Sequence, residues 1–337
     1  MERVLLPAAG VLQAAIGPSK PVILYHGLGS GAEEMDTLTS LIGETGTVAT
    51  SLKLFEGAIA STTPLQEQIP GVISAIRELV ANNTALYADG YHMVCKSQGA
   101  AVCRMAISEM DDHRVDTFIS LAGPQMGCFG VDFLRNAIDN GNMPTTGNPL
   151  VDEALRIAIG DTADALSDTA WHLAYNSPLR MTRSIFQLWR DPRHLDEYYA
   201  RSPILPHHTD NATSRMRANF VRLRRAVFAV GSGPAFEGGI QPWQTGIFGA
   251  EDANGTMRTL FEQEWYAKDT LGLRALHDAG NLTLTIVPNA SHTMWTSDET
   301  LIREQVLPWL SAEPDPSPDP SPVEGSSGSA ESVQESR

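Results

Sequence analysis

Short apolar runs alternate with amphipathic stretches along most of the chain. Pro21–Tyr25 (PVILY) ends in His26-Gly-Leu-Gly-Ser-Gly, which reads as a buried strand entering a glycine-rich turn. Val48–Leu54 predicts a second strand. Leu65, Ile69, Val72, Ile76 and Leu79 then recur at helical spacing behind Pro64, a residue suited to a helix start. Tyr91–Cys95 (YHMVC) predicts the next strand. After Ser97-Gln-Gly comes a helix carrying Val102, Met105, Ala106 and Met110, then a strand at Val115–Leu121. Ala226–Val230 and Leu282–Val287 continue the strands, and a final helix is expected from about Glu299 to Leu310. Strands that alternate with helices of this length make a mainly parallel sheet covered on both faces, an α/β fold.

The rhythm breaks from about residue 127 to 225, a stretch rich in Asn, Pro, Arg and aromatic residues. A long excursion inside a regular α/β pattern reads as an inserted cap, which in such folds shapes a pocket above the carboxyl ends of the strands. The expected organisation is therefore a leader over residues 1–19, one α/β domain over 20–311 with the cap inside it, and a tail over 312–337. The tail repeats Pro, Ser and acid without an apolar rhythm and is expected to be disordered. The leader is moderately apolar and resembles a weak signal peptide interrupted by Glu2, Pro7 and Gln13.

Composition narrows the function. With 42% apolar and 19% charged residues, the chain can bury a large core. Its 24 basic against 40 acidic residues give −16, the wrong sign for a protein whose main partner is nucleic acid. No apolar run reaches the roughly 20 residues that span a bilayer. Three cysteines without a C-x-x-C pair suggest neither a disulfide scaffold nor a zinc site. Five N-x-[ST] sequons, at Asn82, Asn211, Asn254, Asn281 and Asn289, hint at a secretory route.

The sharpest local feature is Cys95-Lys96-Ser97-Gln98-Gly99 at a strand-to-helix junction. A nucleophile elbow, G-x-S-x-G, needs small residues two before and two after its serine, because the turn that lifts the hydroxyl above the sheet is tight. Gly99 meets that demand and Cys95 departs from it. Taken alone, Ser-x-Gly also describes an ordinary helix-capping serine. Its surroundings favour the elbow. His26-Gly27-Leu28-Gly29 directly follows the first strand, where α/β hydrolases place one amide of an oxyanion hole, the other being the amide after the nucleophile. Those amides are Leu28 and Gln98. His292 lies in the loop after Leu282–Val287, where the general base of an α/β-hydrolase fold belongs. Glu237 is the first carboxylate after Ala226–Val230, with Glu251 and Asp252 as later alternatives. The order Ser, acid, His is that of the α/β hydrolases.

Together the segments KPVILYHG (Lys20–Gly27), VCKSQGAAVCR (Val94–Arg104), MDDHRVDTFISLAGPQMG (Met110–Gly127), QPWQTGIFG (Gln241–Gly249), DTLGL (Asp269–Leu273) and SHTMW (Ser291–Trp295) resemble the palmitoyl-protein thioesterases, closest to their lysosomal thioesterase branch. The resemblance covers about Lys20 to Leu310. It implies hydrolysis of long-chain fatty acyl thioesters, as acyl-CoA or S-acylated cysteine, through an acyl-serine intermediate, with no metal or organic cofactor. It implies Ser97 as nucleophile, His292 as base and Glu237 at the acid position, where the family has aspartate. It further implies a disulfide between Cys95 and Cys103, which leaves Cys128 unpaired, and a lysosomal or secreted location. Lys96 stands where the family has an aromatic residue; in an elbow this side chain projects away from the serine, so its ammonium should reach a carboxylate or the surface. Met126 and Trp189 are expected to line the acyl site, although packing of the cap explains them equally. Two other readings stay open on sequence: a carboxylesterase or lipase acting on oxygen esters, and a catalytically silent acyl-lipid binder.

Overall fold

The computed structural model describes residues 19–129, 171–202, 204–232 and 243–311. Nearly all of the expected leader, the tail, residues 130–170 of the expected cap and the loop holding Glu237 lie outside the described residues.

Six parallel strands form the main sheet: β1 (Val22–Tyr25), β2 (Ala49–Ser51), β3 (Tyr91–Lys96), β4 (Val115–Leu121), β5 (Arg225–Gly231) and, after a small antiparallel ribbon of β6 (Ala250–Glu251) and β7 (Met257–Arg258), β8 (Leu282–Val287). Their order across the sheet is β2-β1-β3-β4-β5-β8. The chain thus starts near the middle, steps outward to β2, returns beside its start with β3 and then advances to the other edge. The reversal between β1 and β3 is a switch point, where the loops leaving neighbouring strands diverge and open a crevice. The register Tyr25↔Cys95 brings the exits of β1 and β3 level with each other.

Each central strand is buried on both faces, which explains its continuous apolar run. Side chains alternate between two cores, as the pleat requires. Ile23, Tyr25, Met93, Cys95, Phe118 and Phe228 face the core that holds α3 (Leu65–Asn82) and α4 (Gln98–Glu109). Val22, Leu24, Val94, Ile119 and Val227 face the opposite core, with α1 (Asp36–Glu44) and the helix Glu299–Gln305. Burying a side chain such as Leu24 or Ile119 contributes about 1.5–3 kcal/mol.

Four differences from the sequence-based expectations have simple physical causes. The second strand is only Ala49–Ser51, because an edge strand with one neighbour pairs over a short length. The final helix stops at Gln305 and continues as a tight turn, Leu307–Leu310, in which Pro308 cannot extend an α-helix. Helix α1 was not expected, because only Leu38, Leu41 and Ile42 among its nine residues are buried. The 127–225 region is less irregular than its composition suggests: it includes the helices Ser184–Gln187, Leu195–Arg201 and Ser214–Phe220.

The segment between β4 and β5 is tied to α4 by a buried cation. Arg104 on α4 donates through Nε to Gln125 Oε1 (2.7 Å), through Nη1 to His208 O (2.6 Å) and through Nη2 to Thr209 Oγ1 (3.1 Å). Burial pushes its pKa down to about 10, so it stays charged at any working pH.

Cys95 and Cys103 form a disulfide across the β3–α4 turn, with Cα atoms 6.6 Å apart, and Cys128 is a buried free thiol. Denatured, unreduced protein should therefore take up one equivalent of an alkylating agent, at Cys128, and three after reduction. Replacing both bridge cysteines by alanine should lower stability by about 2–3 kcal/mol, the loop-closure entropy of so short a ring. Two further thiols alkylated before reduction would remove the bridge.

Candidate functional site

The crevice above β1 and β3 is built by close backbone approach. Ser97 leaves β3 with φ 54 and ψ −133, a conformation costly for a residue with a Cβ. Its N–H donates to Leu121 O at 2.8 Å and its carbonyl accepts from Ala100 N at 2.9 Å, so sheet and helix hold the turn from both sides. Gly99 has no alternative: a Cβ there would lie 2.0 Å from His26 O. Gly27 is equally constrained, since a Cβ would fall 2.8 Å from Ser97 Cβ and 3.5 Å from Ser97 Oγ. Cys95, the departure from the glycine pattern, avoids a clash by pointing into the α4 core, where it bonds Cys103.

His292 follows β8 in the loop Pro288–His292, and its Nε2 lies 3.0 Å from Ser97 Oγ. The two residues are 195 positions apart in sequence. Burial, and then the Lys96 charge, lower the imidazole pKa from 6.5 to about 3. A neutral imidazole at this distance can take the hydroxyl proton.

Two backbone donors of the loop after β1 and of the elbow are left over. Leu28 N–H and Gln98 N–H make no hydrogen bond among the described residues. Their neighbours are engaged: Gly27 N–H donates to Glu34 Oε2 (2.9 Å) and Gly29 N–H to Ser61 Oγ (2.8 Å). His26 lies between the carbonyl oxygens of Leu54 (3.0 Å from Nε2) and Gly27 (2.9 Å from Nδ1), which anchors the start of this loop. The Gln98 side chain runs the other way, donating to Ser61 O (2.6 Å) and accepting from Ser184 Oγ (2.8 Å), and so joins the elbow to the cap. Glu34, Ser61 and Arg104 escaped the sequence reading. Only Arg104 left a trace there, as the last residue of an elbow segment that carries the family resemblance.

Lys96 does reach a carboxylate, that of Glu34. Its charge is nevertheless felt at His292, so its reach extends past its ion-pair partner. Asp252, one alternative to Glu237, caps the β6–β7 turn instead, accepting from Asn254 N (2.9 Å), Thr256 N (3.0 Å) and Arg258 Nε (3.0 Å). The backbone carbonyl of Glu251 accepts from Arg190 Nη1 at 2.8 Å. Met126 lines a small cleft with Cys128, Phe129, Arg190, Pro192 and Glu251. Trp189 stands behind that wall, fully buried against Phe129. Among the described residues no cluster of His, Cys, Asp or Glu could hold a metal ion.

A parallel sheet of this order, with a serine elbow after β3 and a histidine after β8, defines an α/β hydrolase. Residues 21–292 match the family described as palmitoyl protein thioesterase. A rat protein called lysosomal thioesterase PPT2 is 37% identical over 315 residues, covering 91% of this chain and 92% of that protein. The human protein of that name is 37% identical over 300 residues, covering 87% and 88%. The chain belongs to the palmitoyl protein thioesterase family and is an enzyme of the thioester hydrolase class. Among solved structures, a Bacillus licheniformis lipase has a TM-score of 0.49 at 14% identity, covering 88% of this chain and 94% of that one. For a Saccharomyces cerevisiae monoglyceride lipase the values are 0.46, 12%, 88% and 88%.

A base must be neutral to accept a proton, so a lowered imidazole pKa preserves function into acid. The acid limb of kcat/KM should therefore fall well below the ordinary histidine value of 6.5. Lys96→Met should move that limb to higher pH, because removing a nearby cation favours the imidazolium. A wild-type limb between pH 6 and 7, unmoved by Lys96→Met, would contradict this assignment.

Proposed function

We propose that the enzyme cleaves long-chain fatty acyl thioesters by an acyl-serine mechanism. Ser97 is the nucleophile, His292 the base and Glu237 the acid that orients it. The observation that carries this reading is the 3.0 Å contact between His292 Nε2 and Ser97 Oγ at a strained elbow. As Ser97 Oγ attacks the thioester carbonyl, His292 takes its proton, and Leu28 and Gln98 N–H stabilise the oxyanion. The carbon–sulfur bond then breaks and the thiolate leaves with that proton. Water, deprotonated by His292, attacks the acyl-serine and releases the fatty acid. A thiolate leaves readily, so deacylation is the slower half.

The segment between β4 and β5 serves as the cap, and the cleft at Met126 receives part of the acyl chain. A lysosomal or secreted location is supported by the names of the rat and human relatives. It is supported also by exposed sequon asparagines at Asn82, Asn211, Asn254 and Asn289.

Turnover of palmitoyl-CoA, an S-palmitoyl peptide and a palmitoyl oxygen ester, measured in parallel, tests the substrate class. The thioesters should be cleaved with the higher kcat/KM; a preference for the oxygen ester would make the protein a carboxylesterase. Ser97→Ala should lower kcat on the order of a millionfold and abolish labelling by a fluorophosphonate. Glu237→Gln should cost roughly 10³–10⁴-fold in kcat, while Glu251→Gln and Asp252→Asn each cost less than tenfold. The reverse ranking would take Glu237 out of the triad.

A further inference from the structure

One carboxylate joins the two backbone segments that meet at the site. Glu34 lies in the short turn Ala32–Met35 between β1 and α1, and its side chain is 17% exposed. Through Oε1 it pairs with the Lys96 ammonium, which is 4% exposed; through Oε2 it accepts the Gly27 N–H at 2.9 Å. Lys96 immediately precedes the serine of the elbow. Gly27 immediately precedes Leu28, whose N–H is unengaged, and its α-carbon packs against Ser97. The loop is pinned again one residue later, by Ser61 Oγ on Gly29 N–H. We propose that Glu34 and Lys96 are positioning residues for the oxyanion hole: the pair fixes the Gly27–Leu28 segment to the end of β3, at the spacing that aims the Leu28 amide at an oxyanion formed on Ser97. This rests on the acyl-serine reading above.

Energetics favour positioning over stability as the role of the pair. Removing two charges from water costs several kcal/mol per ion, and well-packed apolar residues of similar volume commonly replace a buried ion pair without loss. An apolar side chain at position 96 would fill the space above α1 at lower cost. It would leave the Glu34 carboxylate without the cation that fixes its rotamer, however, and the Gly27 amide would lose a charge-assisted acceptor. An oxyanion donor acts in the transition state, so a small displacement of Leu28 slows the reaction without weakening substrate binding.

The test compares Glu34→Ala, Glu34→Gln and the double variant Glu34→Gln/Lys96→Met. Glu34→Ala should lower kcat for palmitoyl-CoA on the order of a hundredfold, the effect of a displaced oxyanion donor, with KM within about threefold. It should weaken a long-chain trifluoromethyl ketone, which forms a tetrahedral adduct on the serine, by the same factor. Glu34→Gln keeps an acceptor for Gly27 but leaves the Lys96 charge unpaired. Both this variant and the double variant lack the ion pair, so kcat should fall in both, and removing the Lys96 charge should not restore it. The proposal is overturned if Glu34→Ala, with unchanged Tm, keeps kcat and ketone affinity, or if kcat and KM change only with the folded fraction. Should Glu34→Ala fail to fold, the other two variants decide, and wild-type kcat in either of them overturns it. Fluorophosphonate labelling separates the two ideas. A labelled, active wild type with indifferent pair variants sinks the positioning role alone. An unlabelled wild type with active Ser97→Ala sinks the acyl-serine reading.

Discussion

Everything at the site depends on how closely two turns can approach. The loop leaving β1 lies on the turn leaving β3, and the contacts are Gly27 against Ser97 and Gly99 against the His26 carbonyl, with no room for another Cβ at residues 27 or 99. That closeness requires the two strands to be neighbours in register, which the β1–β3 pairing provides. It also requires the serine to accept a positive φ, a cost of order 1–3 kcal/mol that must be offset by the sheet, the helix and the disulfide around it. The burial of β1, β3 and β4 on both faces supplies that rigidity. The hydrophobic core is thus what makes a strained serine possible.

Much of the architecture is legible without coordinates. Strands β1, β3, β4, β5 and β8 stand where apolar runs predict them, and the first four do so because a strand buried on both faces has little room for a polar side chain. The serine and histidine were equally legible, since strand exits and chain order constrain them. What stayed hidden is the supporting layer. Glu34 is an acid in a polar turn, and nothing local marks it as the partner of a lysine 62 residues away. Ser61 meets Gly29 across 32 residues and Gln98 across 37, again without a local pattern. Such contacts are products of packing, and a one-dimensional period cannot carry them.

Departures from a glycine-and-aromatic elbow become intelligible once these neighbours are seen. Cys95 occupies a glycine position by turning toward α4, and its bridge to Cys103 ties the strand to the helix that carries the elbow. Lys96 occupies an aromatic position by finding an acid on α1's approach. Neither change disturbs the line from Ser97 to His292. The two changes stand on opposite sides of the sheet, because successive side chains on β3 point to opposite faces.

The separation of 195 residues between Ser97 and His292 has a temporal meaning. During synthesis the elbow emerges first, with its bridge, the glycine loop after β1 and most of the sheet able to form behind it. The histidine follows only with β8, an edge strand that has one neighbour to pair with and can dock only after β5 is in place. A growing chain therefore presents Ser97 with no imidazole beside it until its last strand is added. The contact arrives in a single late step, and a polypeptide released before residue 292 has the strained turn without its histidine partner.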